Sequence, residues 1–205
     1  MGYAYGPLPI GSNQIKPIFR LDFSSSTIAD VSGNGYPVTN NGVTVTEKDG
    51  RKVGNFTAGC LTLDRTMFNN LWVAGTFTID FYLNIANAAP SLVLFGVSRT
   101  GNTNAPGTIY CYTNTLYYVY NTAWSNMMSI KTITNNMWYR VRISVTNFNF
   151  KVFIDGQESA SGTISGALQT WQLLLGGAMA SNGVTISQNG FSGYISDFKI
   201  YNVAL

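Results

Sequence analysis

Few residues in this chain can do chemistry, and their types already narrow the field. The 205-residue sequence holds no histidine, two cysteines and nine acidic residues. Without imidazole there is no Ser-His-Asp or Cys-His nucleophile system, no His-ligated zinc and no imidazole pH switch. Carboxylate chemistry remains, and a retaining glycosidase needs two carboxyls about 5–5.5 Å apart. Glu47 and Glu158 both lie beside turn sequences, and the seven aspartates are scattered. Glu47 and Asp49 are two positions apart, but they flank Lys48 just ahead of Gly50-Arg51, the pattern of solvated charges at a turn. No catalytic residues are assigned, and the chain is not expected to be an enzyme. Cys60 and Cys111 each lie in an apolar stretch, which predicts small buried hydrophobes. Two thiols without histidine make a poor metal site, and sequence alone does not say whether they pair.

Aromatic side chains are the other functional resource. Tyr110, Tyr112, Tyr117, Tyr118, Tyr120 and Trp124 crowd one region. Strand alternation sets Tyr118 and Tyr120 on one face and Tyr117 with Val119 on the other. Trp124 falls in the polar loop that follows. Tyr112, Tyr118, Tyr120 and Trp124 are therefore the candidate glycan platform. The alternative is sandwich packing with hydroxyls at the edge. Trp138 and Trp171 open apolar strands and are expected in the core.

The elements that must position these groups are short strands. The 21 glycines and 21 asparagines with 14% aromatics supply many turns and bulky side chains to pack between them. Apolar or alternating runs recur at Ile18–Phe23, Val43–Thr46, Lys52–Phe56, Cys60–Leu63, Phe77–Leu83, Ser91–Val97, Thr108–Tyr112, Leu116–Tyr120, Trp138–Val145, Phe150–Ile154, Trp171–Gly176 and Phe191–Tyr201. Asp155-Gly156 is the strongest hairpin signal. No window has helical periodicity. The sum is an all-β, two-sheet antiparallel jelly-roll sandwich over residues 16–205. Residues 1–15 carry Tyr3, Tyr5, Pro7, Leu8, Pro9 and Ile10 without periodicity and read as an extended N-terminal arm.

Charge and hydropathy exclude other classes. A formal charge of +3, with no basic run longer than Arg51-Lys52, gives no clustered cations for phosphate, so nucleic acid is not an expected partner. No stretch reaches the roughly 18 apolar residues that span a bilayer. The first residues lack a basic and an apolar region, so secretion by the general route is not expected unless a leader has been removed.

The order of landmarks is itself informative. Asp30-Val31-Ser32-Gly33-Asn34-Gly35, Gly59–Leu63 and Phe77–Tyr82 are followed by Trp138–Val145, Val152–Gly156, Leu174–Gly177 and Phe191–Asn202. This series resembles the concanavalin A-like lectin/glucanase superfamily in its laminin G-like (pentraxin-like) branch, over about residues 18–205. The resemblance implies functions ranging from glycan binding to glycoside hydrolysis to structural scaffolding. It also implies a structural calcium between the early turn and the last strand, here Asp30 and Asp197, where the alternative is local hydrogen bonding by both carboxylates. Asp80 falls where the family commonly carries an acidic strand residue, but one carboxylate cannot perform two-carboxylate chemistry. The absent leader, low charge and loose arm suggest a non-enzymatic virion surface protein, a phage decoration or tail-associated protein. In that setting the arm would dock onto other virion proteins, the chain would be a homo-oligomer in the particle, and it would bind host surface glycans. The alternatives are a carbohydrate-binding module of a secreted enzyme or adhesin, acting outside the cell, and then a glycoside hydrolase.

Overall fold

The computed structural model describes residues 15–57, 59–87, 92–97, 106–121, 127–168, 172–179, 186–187 and 192–205. Of the proposed arm only Ile15 lies among them. In the first third of the chain, strands β1 (Phe19–Asp22), β2 (Ala29–Asp30), β3 (Val38–Asn41), β4 (Thr44–Lys48), β5 (Arg51–Asn55) and β6 (Cys60–Leu63) lead into helix α1 (Arg65–Ala74). The middle holds β7 (Phe77–Asn87), β8 (Leu92–Gly96), β9 (Thr108–Tyr112), β10 (Thr115–Val119), β11 (Met127–Thr132) and β12 (Trp138–Thr146). The rest is β13 (Asn149–Ile154), β14 (Gln157–Thr163), β15 (Leu173–Leu175), β16 (Ala178–Met179), β17 (Ile186–Ser187) and β18 (Ser192–Tyr201).

Two large antiparallel sheets result, as the strand pattern implies, and β16 and β17 form a separate two-stranded antiparallel pair. The larger runs β14-β13-β12-β7-β18-β1-β2, with β5 joining β18 and β4 joining β5; the smaller runs β11-β10-β9-β8-β15-β6-β3. Alternation builds the core between them. Phe77, Ile79, Phe81, Leu83 and Ile85 of β7 and Val141, Ile143 and Val145 of β12 point inward, against Leu61, Phe95, Ile109, Cys111 and Leu173 of the smaller sheet. The expected hairpin at Asp155-Gly156 is present, with φ of 52° and 82°, the positive pair that a tight hairpin turn requires.

Helix α1 corrects the expectation of no helix. Asp64 caps it by accepting from the Met67 amide at 2.7 Å, and Gly75, at φ 66°, closes it by donating to Leu71 and Trp72 carbonyls. Met67, Phe68, Leu71 and Trp72 are its buried residues, and Phe68 meets Phe95 edge-on at 5.2 Å. Cys60 and Cys111 are buried and do not form a disulfide with each other. Burial pushes both thiols up, Cys111 to about 11, which keeps them protonated and unreactive at neutral pH.

Candidate functional site

The carboxylates are engaged with cations or donors. Asp80, on the outer face of β7, is 4% exposed. It accepts from Arg140 Nε and Nη2 at 3.0 and 2.7 Å and from Arg142 Nε and Nη2 at 3.2 and 2.8 Å. The cross-strand register places this cluster, because Asp80 faces Arg142 directly and Arg140 diagonally. Burial pushes the Asp80 carboxyl up, but hydrogen bonds from Arg140 and Arg142, reinforced by their charges, outweigh it and hold it below its ordinary value. Glu47 pairs with Lys52 at 3.2 Å and Glu158 with Lys151 at 2.9 Å. Asp49 accepts from the Trp138 indole at 2.9 Å. An acid for glycoside hydrolysis needs a raised pKa; Asp80 and Glu158 are instead shifted down.

The two residues expected to hold calcium do not fit a cation. Asp30 accepts from the amides of Arg20, Ser32 and Tyr36 and from the Ser32 hydroxyl, all at 2.9–3.1 Å. Three backbone N–H groups, with the Ser32 hydroxyl shared between this carboxylate and the Ile18 carbonyl, occupy the oxygens that a metal would need. Asp197 accepts from Lys199 Nζ at 2.6 Å and lies 3.8 Å from Arg20. Among the described residues no group of three acidic or cysteine side chains converges on a metal position. Local hydrogen bonding accounts for both residues.

The three aromatic candidates among the described residues do not share one surface. Tyr112, which ends β9, is 51% exposed on the outer face of the smaller sheet. Its ring lies parallel to that of Tyr110, centroids 6.3 Å apart at 12°, and Tyr117 lies 6.1 Å from Tyr110. Val93 and Met127 complete the cluster. Tyr118 corrects the expectation: it is fully buried, with its ring 4.9 Å from Phe150 inside the sandwich, and burial pushes its hydroxyl up. Tyr120 is half-buried on that same inner side, 5.6 Å from Phe150. Alternation did group Tyr118 with Tyr120, but the face they share is the core. Tyr117, set apart by the same reasoning, lies beside Tyr110 on the face that carries Tyr112. Trp124 lies outside the described residues, as does Trp171.

A second cluster escaped the sequence reading. Trp138, expected in the core, is half-buried on the outer face of the larger sheet, where its indole holds Asp49 at the tip of the β4–β5 hairpin. That contact lays the Arg51 guanidinium 4.3 Å from the Tyr82 ring centroid and 5.5 Å from that of Trp138. The alternations Asp80/Tyr82 and Trp138/Arg140/Arg142 were the available signal. Nothing local in the sequence brings Arg51 onto that face.

With this geometry in place, the family comparison is decisive over most of the chain. Residues 55–205 match the concanavalin A-like lectin/glucanases superfamily. The chain belongs to this superfamily. Solved structures share the fold of this lectin/glucanase-type sandwich at low identity. They include the binding domain of Paraclostridial Mosquitocidal Protein 1, at 16% identity and a TM-score of 0.69, covering 93% of this chain and 49% of that one. The botulinum neurotoxin serotype D binding domain aligns at 14% identity and a TM-score of 0.65, over 94% of this chain and 50% of that one. Botulinum neurotoxin type C, a protein that depends on two ganglioside molecules to enter cells, aligns at 16% and 0.61, over 93% and 48%. The chain thus spans about half the length of the structures it matches. No curated protein matches it significantly.

Proposed function

We propose that this chain is a non-enzymatic, glycan-binding jelly roll of the concanavalin A-like superfamily, with Tyr112 as its stacking platform. The exposed Tyr112 ring carries the reading. It stands parallel to Tyr110, which in turn neighbours Tyr117 on the smaller sheet, and an exposed aromatic plate suits the C–H face of a pyranose, with the Tyr112 hydroxyl to meet a sugar hydroxyl. Two further observations support it. Asp80, Asp49, Glu47 and Glu158 are bound to guanidinium, indole or ammonium groups. The similar solved structures are described as binding domains, although a likeness at this identity carries the fold alone.

Binding of the full chain to an array of neutral and acidic glycans, with reducing-sugar release measured on the same ligands, tests the proposal. Retention on at least one glycan class without hydrolysis is expected. Sugar release that Asp80→Asn abolishes, or no glycan held above the level of Tyr112→Ala, would contradict it.

The placement in a phage particle, the pentraxin-like branch and homo-oligomerisation are proposals carried by the sequence alone. Docking onto virion proteins is proposed for residues 1–15, of which only Ile15, 55% exposed, is described. Deleting 1–15 should leave melting nearly unchanged and abolish incorporation into particles. Normal incorporation would favour a secreted adhesin module instead.

A further inference from the structure

The larger sheet has a gap on one edge of β18. Strand β5 pairs with Tyr194 and Ile195, β1 pairs with Lys199 and Ile200, and among the described residues no strand pairs with Ser196 to Phe198 on that edge. A β-bulge falls in the same place, with Asp197 at φ 52° and one extra residue absorbed, so that Phe198 still points into the core. Where β1 and β5 diverge, a notch of about 310 Å³ opens, lined by Arg20, Arg51, Lys52, Asp22, Asp197 and Ser196, with Phe23 as an apolar edge.

The charges in this notch do not cancel. Arg20 lies 3.8 Å from Asp197, which also takes Lys199, and Lys52 is matched by Glu47. Asp22 is held ionised at neutral pH, its carboxyl lowered by the side-chain and backbone hydrogen bonds of Ser24. Arg51 has no carboxylate in ion-pair range among the described residues. Its guanidinium is held instead by the faces of Tyr82 and Trp138, which fix its plane without using its N–H donors. Ser196, 4% exposed, lines the same notch, and its hydroxyl has no hydrogen-bond partner, an unusual condition for a buried polar group.

We propose that this notch is a second binding site, for a singly charged carboxylate sugar. A planar fork of donors matches a carboxylate, and one unmatched cation matches one negative charge. Asp22 and Asp197 beside it would accept from sugar hydroxyls and repel a more densely charged polyanion. The site lies on the opposite sheet from Tyr112. It rests on the glycan-binding reading for the nature of the ligand and not for its place.

The test is a titration of the isotope-labelled full chain with the methyl glycosides of N-acetylneuraminic acid and glucuronic acid, with galactose 6-sulfate and methyl galactoside as comparison arms, followed by NMR. The carboxylated sugars should move the Trp138 indole and Ser196 amide signals, with dissociation constants in the millimolar range. Arg51→Gln should weaken this binding roughly tenfold and Arg51→Lys several-fold, since an ammonium keeps the charge and loses the fork. Tyr112→Ala should leave it unchanged. Unaltered affinity in Arg51→Gln, equal response to the neutral or sulfated sugar, or no response to either carboxylated sugar would each overturn the notch. Loss of array binding in Tyr112→Ala would meanwhile leave the first site standing. The reverse pattern, notch binding with no array dependence on Tyr112, would sink the platform and keep the notch.

Discussion

The two sheets present opposite kinds of outer face, although the same alternation generates both. On the larger sheet the outward positions of β7 and β12 carry Asp80, Tyr82, Trp138, Arg140 and Arg142, and most of their polar capacity is consumed internally by the Asp80 cluster and the Trp138–Asp49 bond. On the smaller sheet the outward positions of β8, β9, β10 and β11 carry Val93, Tyr110, Tyr112, Tyr117 and Met127, and aromatic area is left to solvent at Tyr112. The Asp80 cluster is therefore tied to stability, whereas Tyr112 leaves ring area to solvent. Substitution should cost folding at Asp80 and binding at Tyr112.

The largest effect is expected at Asp80. Asp80→Asn removes the anion shared by Arg140 and Arg142 and should lower stability by roughly 3 kcal/mol, the low end for breaking a buried pair because both arginines keep partial access to water. Urea unfolding monitored by tryptophan fluorescence measures it; a loss near zero would mean the cluster is only ornamental to the fold.

That contribution should also depend on pH. The folded-state carboxyl is lowered, so its stabilisation is complete above the unfolded value of about 4 and is lost as pH falls through the lower folded value. The difference in unfolding midpoint between wild type and Asp80→Asn should be constant from about pH 5 to 8 and close below about pH 4. A difference that persisted at the acid end would assign the effect to packing.

A smaller effect of opposite sign is expected inside the sandwich. Tyr118 buries a hydroxyl that has no hydrogen-bond partner. Tyr118→Phe keeps the ring against Phe150 and removes the stranded group, so it should stabilise the protein by about 1 kcal/mol. Destabilisation in thermal melts would show that the hydroxyl is solvated or paired in solution. The smallest effect is expected at Tyr112, where truncation to alanine should change stability by less than about 0.5 kcal/mol, as for an exposed position outside special features.

The contrast between the faces was half legible in the sequence. Strands β6 and β9 have the bounds their apolar runs imply, because both face the core through alternate positions. Strand β14, polar and largely exposed, had no apolar alternation to reveal it, and it pairs because the Asp155-Gly156 turn brings it beside β13. Helix α1 was hidden by Asn69-Asn70 and by its position between two strong strands. Asp64, Gly75 and the spacing of Met67, Phe68, Leu71 and Trp72 were its available signs. For the site, alternation correctly separated Tyr117 from Tyr118. Which parity faces water depends on where the opposite sheet packs, and that information lies in residues distant in the chain.

The central claim is that the tyrosine face binds sugar without serving the fold. Calorimetric titration of the full chain with the glycan best retained on the array, in wild type and in Tyr112→Ala of equal melting temperature, tests it most directly. The account predicts measurable affinity in the wild type and at least tenfold weaker binding in the variant, a loss of about 1.4 kcal/mol or more. Equal affinity in the two proteins would contradict it.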